Sequence, residues 1–176
     1  MFCKLKGDIE KYHHNIVNMV AKQFELIVTK EENLPTHFTL KYWFEAENIN
    51  ELERIIENFC ETHEKTSVKV GGFGSFPQKV LFIDVQLSDE AKKTFIAFIS
   101  ELRKLSWMSW NKWDAENLRF HTSIAEDCDE KYNRVWEFLQ GKEKYFDCLF
   151  DNITILKEKS RENGILKWEI YKTHWI

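Results

Sequence analysis

Proline and glycine are scarce in this chain: two prolines and six glycines stand among 176 residues. That excludes a flexible linker of the Pro/Gly/Ser type. Residues 1–176 are therefore expected to form one domain, either a single body or two tightly packed lobes. The four cysteines, Cys3, Cys60, Cys128 and Cys148, are scattered and form no C-x-x-C. The opening Met1-Phe2-Cys3-Lys4-Leu5-Lys6 lacks the apolar stretch of a secretory leader, and no apolar run approaches the length of a bilayer span. The expectation is a cytoplasmic protein with reduced thiols and no membrane contact. Positive charge is not in excess either. The net charge of −4 excludes a surface that traps nucleic acid over its whole extent, although a local basic patch is compatible with it. A small substrate or the end of an RNA fits this balance better than a long duplex. Hydrophobic residues make up 43% and aromatics 15%, enough for a real core and against global disorder.

The patterning is mixed. Phe2 to Lys6 reads as a short strand. From Asp8, a plausible N-cap, residues Ile9, Tyr12, His13, Ile16, Val17, Val20, Ala21 and Phe24 recur at helical spacing. Leu26 to Val28 is a short apolar run, and Lys30 to Thr36, with Pro35, reads as a loop. His37 to Phe44 alternates as a strand. A second amphipathic helix follows through Ile49, Leu52, Ile55, Ile56, Phe59 and Cys60. Thr66 to Phe76 and Lys79 to Leu87 form a strand pair around Phe76-Pro77-Gln78. Ser88 caps a third helix. Ser106 to Asn117 carries Trp107, Trp110 and Trp113, read as anchors of a loop or helical turn. Leu118 to Ala125 is a further strand. Asp127 to Glu130 has the form of a capping box before a helix with Val135, Trp136 and Leu139. Strands at Cys148 to Lys157 and Ile165 to His174, turning through Ser160 to Gly164, close the chain. This order predicts α+β: antiparallel sheet with helices on its outer faces, in two similar lobes that share a cleft.

Two segments echo each other: His37-Phe38-Thr39-Leu40 and His121-Thr122-Ser123-Ile124. Each places a histidine and a hydroxyl residue two positions apart on a strand, so both side chains point to one face. Two imidazoles plus two hydroxyls suit phosphodiester chemistry, one imidazole taking a proton while the other gives one. The same alternation adds Lys41 to the first face and Arg119 to the second, as cations for a phosphate. Trp43 and Phe82 fall on the presumed cleft faces as candidates for stacking on a base. His13, His14, His63 and His174 have no echo and are read as structural or surface residues. No third ligand stands at a recognisable spacing from His37 or His121, so no metal site is expected.

The two H-x-[ST]-hydrophobic segments, 84 residues apart, resemble those of the two-histidine (2H) phosphoesterases, which include 2′-5′ RNA ligase-like proteins and 2′,3′-cyclic phosphodiesterases. Pro35 ahead of the first motif fits that resemblance. So do the stretch Val68 to Pro77 followed by Val80-Leu81-Phe82, and the closing hairpin from Ile153 to Trp168. It covers the chain from about Leu34 onward. Ser123 stands where that family more usually has threonine and keeps the hydroxyl; Phe82 stands where tryptophan is common, a change expected to affect base stacking. The resemblance implies a bilobal α+β fold with two antiparallel sheets, outer helices, a pseudo-twofold axis and a central cleft faced by both motifs. It also implies catalysis without metal or other cofactor, and no obligate protein partner. The expected function is hydrolysis of a 2′,3′-cyclic phosphate or 2′-5′ linkage in nucleotides or RNA ends. His37 and His121 would serve as acid and base, with Thr39 and Ser123 on the nonbridging oxygens. The alternative is a catalytically silent RNA- or nucleotide-binding protein with the same cleft.

Overall fold

A computed structural model describes residues 1–26, 34–76, 79–114, 118–162 and 165–176, with the backbone alone at 161, 162 and 165. In chain order the elements are β1 (Phe2–Lys4), α1 (Asp8–Phe24), β2 (His37–Thr39), α2 (Ile49–Thr62), β3 (Thr66–Phe76), β4 (Val80–Leu87) and α3 (Asp89–Leu102). They continue with β5 (His121–Ala125), α4 (Tyr132–Leu139), β6 (Tyr145–Phe150), β7 (Asn152–Glu162) and β8 (Ile165–Trp175). The strands form two four-stranded sheets, ordered β2-β1-β7-β8 and β5-β4-β3-β6, and every pairing is antiparallel. This is the expected α+β architecture, with each motif on an edge strand of a different sheet.

Edge placement matters because β2 and β5 do not pair with each other, yet they lie side by side. Phe38 of β2 joins the sheets. Its ring is fully buried and packs edge-on against Phe120, just before β5, and Phe150 of β6, with centroids 5.9 Å apart in both cases. Fully burying such a ring stabilises by about 1.5–3 kcal/mol, so the core holds the two motif strands together. Helix α1 leans on the second sheet through Tyr12 against Phe146 and on α4 through Phe24 against Phe138. Its buried stripe is Ile9, His13, Ile16, Val17, Val20 and Phe24.

Several local expectations need correcting. The first motif strand ends at Thr39 rather than Phe44, because the Leu40 and Lys41 amides both turn to the Met1 carbonyl, at 3.0 and 3.1 Å. Asp8 is the first helical residue of α1; the cap position is Gly7, at φ 80°, where a side chain is disfavoured. The Asp127–Glu130 box does not cap. Asp127 sits at φ 48°, Asp129–Lys131 forms a 3₁₀ turn, and no side chain bonds the first amides. The strand expected at Cys148–Lys157 is two strands, β6 and β7, broken at Asp151. Ser88 caps α3 as expected, accepting from the Ala91 amide, and Asn48, which the sequence reading did not single out, caps α2 by accepting from the Glu51 amide. The expectations for 27–33, for Pro77 and Gln78, for 115–117 and for Asn163 and Gly164 lie outside the described residues.

All four cysteines are free thiols. Burial pushes Cys3 up to about 12 and Cys60, Cys128 and Cys148 up to about 11, which makes them poor nucleophiles. Among the described residues no helix is long and apolar enough to cross a membrane.

Candidate active site

On β2, His37 and Thr39 are half-buried on one side while Phe38 points into the core. On β5, His121 and Ser123 are half-buried while Thr122 and Ile124 are buried. Alternation thus places the four motif side chains as the sequence suggests. The register pairs His37 with Lys4 and Thr39 with Phe2 in one sheet, and His121 with Asp84 and Ser123 with Phe82 in the other.

The two histidines are held in the same way. His37 Nδ1 lies 2.7 Å from the Pro35 carbonyl oxygen, and His121 Nδ1 lies 2.6 Å from the Arg119 carbonyl oxygen. A carbonyl only accepts, so each Nδ1 carries the hydrogen and each neutral ring has its lone pair on Nε2. Each imidazole is therefore anchored at the nitrogen facing its own backbone, two residues back, and has Nε2 left for chemistry. Burial drives His37 down to about 4, opposed by the Pro35 carbonyl and assisted by His13 and His121 nearby. Burial also lowers His121; the Arg119 charge adds to this, and the Arg119 carbonyl and Asp84 oppose it. In the free protein both rings are thus biased toward the neutral, proton-accepting form.

The rings rest on aromatic platforms. His37 packs on Phe2 at 4.5 Å between centroids. His121 packs on Phe82 at 4.8 Å and meets Phe76 edge-on at 5.2 Å. Phe82 in turn lies over Gly74, where a Cβ would come within 2.2 Å of its ring. Glycine at 74 is what leaves room for the ring beneath His121.

This corrects the reading of Phe82 as a stacking surface. The ring is fully buried, covered by His121 and by the Arg119 guanidinium 4.8 Å from its centroid, and it supports His121. Lys41 is also corrected. Its strand ends before it, so alternation no longer governs its direction. The amine is fully buried in an ion pair with Asp114 at 2.9 Å. Asp114 also accepts from the amides of Tyr42 and Asn111. Arg119 remains about half exposed, with Asp84 3.6 Å away. Trp43 is 62% exposed. With Phe2, His37, Thr39, Phe44, Ile155, Trp168 and Tyr171 it lines a cavity of about 550 Å³ on the His37 side. Of the three expected tryptophan anchors, Trp107 donates to Glu51 of α2 and Trp110 lies beside the Lys41 amine, whereas Trp113 is exposed.

Two participants escaped the sequence reading. Glu126 lies beside Ser123: burial pushes its carboxyl above the ordinary carboxylate range, and the Ser123 hydroxyl opposes that push. His13, read as structural or surface, is buried between the motif segments. Its Nδ1 is 2.9 Å from the Thr36 hydroxyl and its Nε2 is 2.7 Å from the Ser123 carbonyl oxygen. The signal for His13 was its place on an apolar helix stripe, where a buried imidazole must find partners. Nothing local identified Glu126. Among the described residues no three His, Cys, Asp or Glu side chains gather to hold a metal ion.

A two-sheet α+β fold whose adjacent edge strands each present a histidine and a hydroxyl residue defines a two-histidine phosphoesterase fold. A family model described as the 2′-5′ RNA ligase superfamily matches residues 26–162, and the chain belongs to that family, part of the 2H phosphoesterases. A search of curated proteins finds no match.

Proposed function

We propose that the protein is a phosphodiesterase that acts on 2′,3′-cyclic phosphate or 2′-5′ linkages of nucleotides or RNA ends. The observation that supports this best is the shared anchoring of His37 and His121, each with Nδ1 on a carbonyl and Nε2 available. One neutral imidazole removes a proton from the attacking water as the other, protonated, gives one to the leaving oxygen. An anionic phosphate between them favours the charged imidazolium and offsets the downward shifts on both rings. Thr39 and Ser123 bond the nonbridging oxygens, and Arg119 adds charge. Trp43 stacks on a base, and the reaction needs no metal. Purified protein with chelator should therefore turn over 2′,3′-cyclic nucleotides or short cyclic-phosphate-ended RNA. His37→Ala and His121→Ala should each abolish turnover.

A second reading rests on the commitment of Lys41 to Asp114, which reduces the cations ready to meet a phosphate. It is a silent nucleotide- or RNA-binding protein with the same cleft. Binding of these ligands with no turnover on any of them favours it.

A further inference from the structure

The two motif strands are edge strands of separate sheets, so no shared ladder of backbone hydrogen bonds sets the distance between the two half-sites. Side-chain packing at Phe38 holds them together, but packing of rings tolerates small shifts better than directional bonds do. General acid–base transfer across one phosphate is sensitive to such shifts: a misplacement of about 1 Å can reduce rate about 100-fold.

His13 lies at the junction. From α1 its ring reaches Thr36, the residue before His37, and Ser123, the hydroxyl residue of the second motif. The Ser123 carbonyl accepts, so Nε2 carries the hydrogen and donates to it; Nδ1 then accepts from the Thr36 hydroxyl. Thr36 is fully buried, and its carbonyl accepts from the Leu5 amide at 2.8 Å, which ties this end of the bridge to the first sheet's surroundings. At the other end, β5 pairs only with β4 among the described residues, and His13 bonds its outer edge.

We infer that His13 is a positioning residue that spans the two half-sites and fixes the spacing of His37 relative to Ser123 and His121. It acts through Thr36 and Ser123 and does not touch the reacting atoms. Burial lowers its pKa to about 4, so the ring is neutral at pH 7 and keeps the single-hydrogen form that the bridge uses. The inference rests on the paired-histidine reading above.

The test compares the full chain with His13→Leu, which loses both bonds, His13→Gln, which keeps a donor toward Ser123, and Thr36→Val, which loses the hydroxyl. With 2′,3′-cyclic nucleotide as substrate, His13→Leu should lower kcat about 10- to 100-fold while KM changes little. His13→Gln should recover much of the loss. Thr36→Val should add little on top of His13→Leu, since both act through one bridge. Amide hydrogen exchange supplies a readout free of turnover. Exchange in β2 and β5 should rise together in His13→Leu and Thr36→Val, with β7 and β8 unchanged. A wild-type protein without turnover overturns the proposed activity alone, and the bridge is then decided by exchange. A folded His13→Leu with wild-type kcat overturns the inference, as does a His13→Gln no better than His13→Leu. Unchanged exchange in β2 and β5 in Thr36→Val does so even if His13→Leu fails to fold.

Discussion

The Lys41–Asp114 pair offers a sharp test of whether a motif-proximal cation serves substrate or fold. Both side chains are almost fully buried, and their charged atoms are 2.9 Å apart. Removing one member leaves the other as an uncompensated buried charge, which costs about 3–5 kcal/mol. Asp114→Ala should sit at the upper end, because the Tyr42 and Asn111 amides lose their acceptor as well. Lys41→Met should sit nearer the lower end, because those two amides still bond the carboxylate. The double variant Lys41→Met/Asp114→Asn removes both charges and keeps an acceptor for one of the two amides, so it should recover part of the loss. At a urea slope of about 2 kcal/mol/M, the single variants should move the unfolding midpoint down by about 1.5–2.5 M. Chemical denaturation of the four proteins closes the cycle. The reasoning is refuted if Lys41→Met leaves the midpoint within about 0.5 M of wild type while raising KM for a phosphodiester tenfold or more. That pair of results would mean that the amine leaves Asp114 for the substrate.

Three other outcomes are expected. Gly74→Ala drives a Cβ to 2.2 Å from the Phe82 ring. It should destabilise by about 1–3 kcal/mol and lower kcat further than the lost folded fraction explains, because Phe82 carries His121; normal kcat in the folded variant would contradict this. Buried His13 has a folded-state pKa of about 4, below its ordinary value, so the unfolded chain binds more protons between about pH 6.5 and 4. The share of stability that His13 carries should be level above that window and fall by on the order of 3 kcal/mol as pH drops through it, with His37 adding a fall of the same sign. His13→Leu should show a shallower fall in denaturation series, and an unchanged slope would contradict the assignment. Trp43→Ala removes an exposed ring at the cavity mouth. It should raise KM for a nucleotide by about 5- to 100-fold with stability within about 0.5 kcal/mol of wild type; a stability loss with unchanged KM would assign Trp43 to the fold.

What the sequence made legible is the part governed by local periodicity. The alternation of His37-Phe38-Thr39 and of His121 to Ile124 predicted which side chains share a face, and burial follows it. Periodicity also located α2, α3 and the β3–β4 pair, where apolar faces are long. Errors arose where a nonlocal bond set the local geometry. The Met1 carbonyl draws the chain out of the ladder after Thr39, so alternation said nothing valid about Lys41, whose direction is set by Asp114. Phe82 lies on the expected side of its strand, but its cover of His121 and Arg119 comes from other segments. The separate strands β6 and β7 were merged because Asp151, a single residue, divides them with no proline or glycine to mark the break. His13 was legible as a buried helix residue, but its partners at Thr36 and Ser123 are 23 and 110 residues away.

The central claim is that His37 and His121 share one proton-transfer task through their Nε2 atoms. The most direct measurement is the pH dependence of kcat/KM on a 2′,3′-cyclic nucleotide, for wild type and for His37→Ala and His121→Ala. With His37 near 4 and His121 also below its ordinary value, the wild-type profile should be bell-shaped, with its maximum below about pH 6.5. It should fall on the acid side as the base protonates and on the alkaline side as the acid loses its proton. Each variant should lose activity at every pH. A profile flat from about pH 5 to 8, or full activity in either variant, would contradict the claim.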